Sequence, residues 1–108
     1  MASTNQEMLR HVVLIKFKEN TKPEDISRLE QEFRTLATVK INQVKQFEWG
    51  THTGKDNRNQ GYTHFFCLTF ANQEDLDTYS NHDDHKEFVK NLKLHLDGSL
   101  VIDYFAKH

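Results

Sequence analysis

The sequence predicts an α+β fold in which one four-stranded antiparallel sheet carries helices on a single face. Three observations lead there. Residues 9–18 and 61–70 place β-branched and aromatic side chains on both sides of an alternating pattern, as central strands do. Two other stretches, opening near Thr21 and Asn72, repeat apolar residues at helical spacing. These signals alternate along 108 residues, a length that holds one domain around one core.

Residues 1–8 are polar and without period, and are expected to form a flexible arm ahead of a single domain over 9–108. In the first strand His11, Val13, Ile15 and Phe17 alternate with Val12, Leu14 and Lys16. Thr21 with Glu24 three residues on reads as a helix cap, and Pro23 is tolerated in the first turn, where a missing N–H loses nothing. Ile26, Leu29, Phe33, Leu36 and Ala37 then make one apolar stripe that ends near Lys40. Residues 44–50 alternate Phe47 and Trp49 against Gln46 and Glu48, the pattern of a half-exposed or edge strand. Residues 51–60 contain no large apolar side chain and form a solvated loop. In the third strand Tyr62, His64, Phe66, Leu68 and Phe70 share one face, while Thr63, Phe65, Cys67 and Thr69 share the other. Asn72 with Asp75 marks a second helix start, interrupted at residues 81–84. His85, Phe88, Val89, Leu92 and Leu96 resume the stripe, with Gly98 as its stop and residues 100–105 as a last short strand.

The order β-α-β-β-α-β, with a hairpin between the second and third strands, is the ferredoxin-like arrangement. One helical layer covers one face of the sheet, yet three strands are apolar on both. The uncovered face is therefore expected to meet the same face of a second copy, giving a homodimer closed as a dimeric α+β barrel.

Bulk properties narrow the partners. A net charge of −2 with neutral histidines leaves no basic field for nucleic acid or an anionic membrane surface. The longest aliphatic run, 12–15, is too short to span a bilayer, and a cytoplasmic location is expected. The single Cys67 excludes an internal disulfide.

Seven histidines are the unusual count. His85 sits on its apolar stripe near a helix start, where desolvation and the positive helix end both favour the neutral, basic imidazole. Tyr79, one face away, can hydrogen-bond that base or a developing enolate, and His11 or His64 can polarise a carbonyl. Phe33, Phe66, Val89 and Leu92 are the apolar wall by face assignment. A methylene flanked by two carbonyls is acidic enough for imidazole, so this chemistry requires no metal or nucleotide cofactor. Structural roles compete: His85 as a core histidine bonded to Tyr79, and His11 with His64 as a polar pair between strands. His82 and His85 supply two ligands at most, so no metal centre is expected.

Five segments in order carry a family resemblance: LRHVVLIKFK from Leu9, FEWG from Phe47, GYTH from Gly61, Tyr79-x-x-His82-x-x-His85-x-x-Phe88, and VIDY from Val101. The chain resembles the stress-responsive dimeric A/B-barrel family across nearly its whole length. The resemblance implies a ferredoxin-like protomer, a dimer with facing sheets, and one of several functions. Members similar to boiling-stable plant proteins assemble dimers into highly stable rings and have no known chemistry, which implies a structural or chaperone-like stress oligomer as one alternative. A branch similar to olivetolic acid cyclase closes a polyketide ring without a cofactor, by intramolecular aldol condensation; cofactor-free monooxygenases act on similar barrels. By position His85 matches the cyclase base, Tyr79 its partner, and His11 and His64 the histidines lining the pocket. The sequence departs from the common His-Pro-Ala-His form, with Asp83 and Asp84 between the histidines. The expected function is thus a homodimer whose apolar pocket between sheet and helices binds a small aromatic or polyketide-like ligand, with acid–base catalysis by His85 and Tyr79 as the alternative.

Overall fold

The computed structural model describes residues 7–108. Four strands, β1 (Leu9–Phe17), β2 (Gln46–Thr51), β3 (His64–Phe70) and β4 (Leu96–Phe105), form one sheet in the order β2-β3-β1-β4, every pair antiparallel. Of three α-helices among the described residues, α1 (Pro23–Thr35) connects β1 to β2, and α2 (Gln73–Asn81) with α3 (Asp83–Lys93) connects β3 to β4; a loop joins β2 to β3. This is the ferredoxin-like topology. β1 lies between β3 and β4, with Leu9, Val13 and Ile15 buried on its helix-covered face and Val12 and Leu14 half-buried on the other. Residues 1–6 of the expected arm lie outside the described residues; at its end the Met8 carbonyl accepts a hydrogen bond from the Ala106 N–H.

The core fills the space between the sheet and the helices. Leu9, Val13 and Ile15 of β1 and Phe66, Leu68 and Phe70 of β3 point into it, against Leu29, Phe33 and Leu36 from the α1 side and Leu76, Phe88 and Leu92 from α2 and α3. Phe33 is its hub, with ring centroids 4.4 Å from Phe66, 4.8 Å from Phe88 and 5.6 Å from Phe47. Among the described residues no helix is long and apolar enough to cross a membrane.

Several boundaries differ from expectation, each for a local reason. Thr21 does not cap α1: Pro23 takes the first helical position, which holds the preceding Lys22 extended as the cap (ψ 144°), and the buried Thr21 hydroxyl has no hydrogen-bond partner among the described residues. The α1 hydrogen-bond pattern widens at Leu36–Lys40 into a π-helical turn, closed by the Ile41 N–H on the Leu36 carbonyl at 3.2 Å. β3 starts at His64 rather than residue 61, because Gln60 (φ +54°) and Gly61 (φ +86°) make a left-handed turn. Gly98 does not stop α3. The helix ends at Lys93, and Gly98 lies inside a longer β4, opposite Lys16 where the register shifts.

Candidate active site

The break between α2 and α3 builds the site. The Asn72 side chain accepts from the Asp75 N–H at 2.9 Å and starts α2, which ends in an extended residue, His82 (ψ 137°). His82 then caps α3: its Nδ1 accepts from the Asp84 N–H at 3.0 Å. The kink sets Tyr79, in the last turn of α2, against His85, in the first turn of α3, with ring centroids 4.5 Å apart. His11 of β1 approaches Tyr79 from the sheet at 6.0 Å. The buried phenol ring therefore lies between two imidazoles.

These three rings line a cavity of about 240 Å³ between sheet and helices, walled also by Val13, Phe33, Phe88, Val89, Leu92 and Val101. Its volume admits one aromatic ring with small substituents. His11, Tyr79, His85, Phe33, Val89 and Leu92 are thus brought together. His64 and Phe66 are not. His64 pairs with Ile15, four residues along β1 from His11, a displacement of about 13 Å. There its Nε2 contacts Glu30 Oε2 at 2.8 Å and its Nδ1 contacts Thr63 Oγ1 at 2.9 Å, with Trp49 stacked on the ring. His11 and His64 therefore do not form a pair between strands. Phe66 is 2% exposed and covered by Phe33, which seals it from the cavity.

Hydrogen bonds fix the tautomers. His85 Nδ1 lies 3.1 Å from the Ser80 carbonyl, which only accepts, so Nδ1 carries the hydrogen and Nε2 is the basic nitrogen of the neutral ring. That bond takes the place expected for the Tyr79 hydroxyl. Desolvation holds His85 below the ordinary histidine range; the charges of His11 and His82 push the same way, and the Ser80 bond opposes them. Asp84 turns from His85 into a cleft shared with Arg28 and Glu87 on the α1 side. Burial pushes the Tyr79 phenol far above its usual value, so it keeps its proton and remains a donor.

Two groups escape the sequence reading. Asp103 Oδ1 lies 2.6 Å from His11 Nδ1, directly across the β1–β4 pair, and leaves His11 Nε2 as the ring nitrogen outside that contact. An acid on the β4 face that also carries Val101 and Phe105 was the available signal. Ser80 acts through its backbone carbonyl, which no side-chain pattern reveals. Among the described residues no three His, Cys, Asp or Glu side chains converge as metal ligands.

Comparison with known proteins agrees with this architecture. Residues 9–106 match the family described as the Stress responsive A/B Barrel Domain. The Arabidopsis thaliana stress-response A/B barrel domain-containing protein HS1 is 38% identical over 96 residues, 89% of this chain and 87% of that protein. Olivetolic acid cyclase from Cannabis sativa is 25% identical over 96 residues, 89% of this chain and 94% of that protein. The crystal structure of At3g17210 from Arabidopsis thaliana superposes with a TM-score of 0.86 at 37% identity, covering 93% of this chain and 96% of that one. Fold neighbours of lower identity are described as dimeric; one from Bacteroides fragilis has a TM-score of 0.72 at 20% identity, covering 92% and 96% of the two chains. The chain belongs to the stress-responsive A/B barrel domain family.

Proposed function

We infer that the cavity takes a small aromatic or polyketide-like molecule and that His85 removes a proton from it, a cofactor-independent acid–base reaction of the polyketide-cyclase kind. The observation that carries this reading is the His85 imidazole on the wall of an apolar cavity, held neutral by desolvation with Nδ1 committed to Ser80. The similarity to olivetolic acid cyclase supports it. In this reading His85 Nε2 takes a proton from a methylene between two carbonyls, and the Tyr79 hydroxyl donates to the enolate oxygen. The enolate carbon attacks a second carbonyl of the same chain, and the new alkoxide recovers the proton from His85; loss of that hydroxyl as water and enolisation of the remaining ring ketones then give the aromatic product. His11, oriented by Asp103, polarises the attacked carbonyl. The test is incubation with a linear poly-β-ketone thioester, followed by the appearance of an aromatic chromophore and by binding of the resorcinol-type product. Product binding without turnover leaves a binding protein; neither binding nor turnover rejects the reading.

The functional unit in this proposal is a homodimer joined through the outer sheet face. Leu100, Ile102 and Tyr104 of β4 are 46%, 50% and 49% exposed there, beside half-buried Val12, Leu14, Phe65 and Cys67 of β1 and β3. Such a row in water is an unpartnered apolar patch, and the dimeric fold neighbours support its closure. Ile102→Glu, which faces Val12 across the pair, is expected to give a monomer of 12.8 kDa by light scattering where the parent gives twice that mass. A dimer that survives the charge lies elsewhere.

A further inference from the structure

We propose that the basic rim at the mouth of the cavity binds an anionic oxygen group, carboxylate or phosphate, so that the ligand is an acid whose uncharged part enters the cavity. This rests on the cavity being a ligand site. The cavity wall at Ser80, His85, Val89 and Lys93 is shared with an outer cleft of about 360 Å³, completed by Lys86 and Lys90. Each lysine follows or adjoins a cavity residue along α3: Lys86 after His85, Lys90 after Val89, Lys93 after Leu92. The spacing i, i+4, i+7 puts the three ammonium groups in one row along the lip.

Among the described residues none of the three lysines makes an ion pair. Of the acidic residues of the same helix, Asp84 and Glu87 face the opposite cleft with Arg28 and Glu32, and Asp83, three residues before Lys86, makes no ion pair with it. Like charges at i and i+4 oppose helix formation. The helix dipole accounts for Lys90 and Lys93 in the last turn. It does not account for Lys86, which stands in the first turn beside His85, where a cation is unfavourable. An anion in the shared cleft offsets all three charges and lies one side chain from the His85 base. The chemical class that fits is a phenolic or β-keto acid, or the phosphate ester of such a ring or chain, with its acidic carbon near the charged end. The outer sheet face lies on the other side of the molecule, so a dimer formed through it leaves this rim open.

The experiment is titration calorimetry with matched probes: resorcinol against 2,4-dihydroxybenzoate, and phenol against phenyl phosphate. Each anion is expected to bind at least about tenfold more tightly than its uncharged partner at low salt, with the advantage shrinking as ionic strength rises. The better of the two anions identifies the source. In Lys86→Gln/Lys90→Gln, which changes only side chains of the outer cleft, the advantage disappears while the uncharged probe keeps its affinity; the corresponding double arginine variant retains it. Equal affinity of charged and uncharged probes in the parent, or an advantage that survives in the folded glutamine variant, overturns the anion site and leaves the cavity reading standing. Binding of neither member of a pair overturns both.

Discussion

His85→Gln is expected to slow cyclisation of a poly-β-ketone thioester by about 100- to 10,000-fold, the contribution of a positioned general base. Glutamine is close in size and its amide N–H can still donate to the Ser80 carbonyl, so the α2–α3 junction persists. What it lacks is a basic nitrogen in place of Nε2. Because desolvation lowers the His85 pKa, the neutral ring persists below the ordinary histidine value of about 6.5. The rate is therefore present at neutral pH and lost as pH falls through the lowered value. Circular dichroism verifies the fold of the variant. A rate unchanged by the substitution assigns the base elsewhere.

The largest effect on stability is expected from Phe66→Ala, a loss of about 3–5 kcal/mol measured by urea unfolding. The ring is 2% exposed, stacks on Phe33 at 4.4 Å and lies 5.5 Å from Trp49, so removing it empties the centre of the aromatic cluster. Against a total of about 5–15 kcal/mol for a domain of this kind, that is a large share. Val89→Ala, at a half-buried position on the cavity wall, serves as the control: it leaves neighbours already facing open space and costs less. Equal losses at the two positions contradict the placement of the core at Phe66.

Much of the fold was legible because its periods are clean. Alternation in residues 9–18 named a two-sided central strand, and β1 is flanked on both edges. Tyr79 and His85 are close in the chain and flank a visible break in the helical pattern, so their adjacency was readable too. His64 and Phe66 failed as cavity residues for a physical reason. Alternation tells which face a side chain takes, whereas position along the strand is set by register, and that depends on partners remote in sequence. His64 shares the face of His11 but stands opposite Ile15, where Glu30 of α1 claims it. The Asp103 contact with His11 spans 92 positions and follows from the same register.

The measurement that tests the central claim most directly is an NMR pH titration of the imidazoles, in the parent and in His85→Gln, with and without 2,4-dihydroxybenzoate. One imidazole, absent from the variant, is predicted to titrate below the ordinary histidine range and to move when the ligand is added. If the His85 resonance titrates at or above that range, or is indifferent to ligand, the ring is not a neutral base on the wall of an accessible cavity, and the proposed chemistry falls.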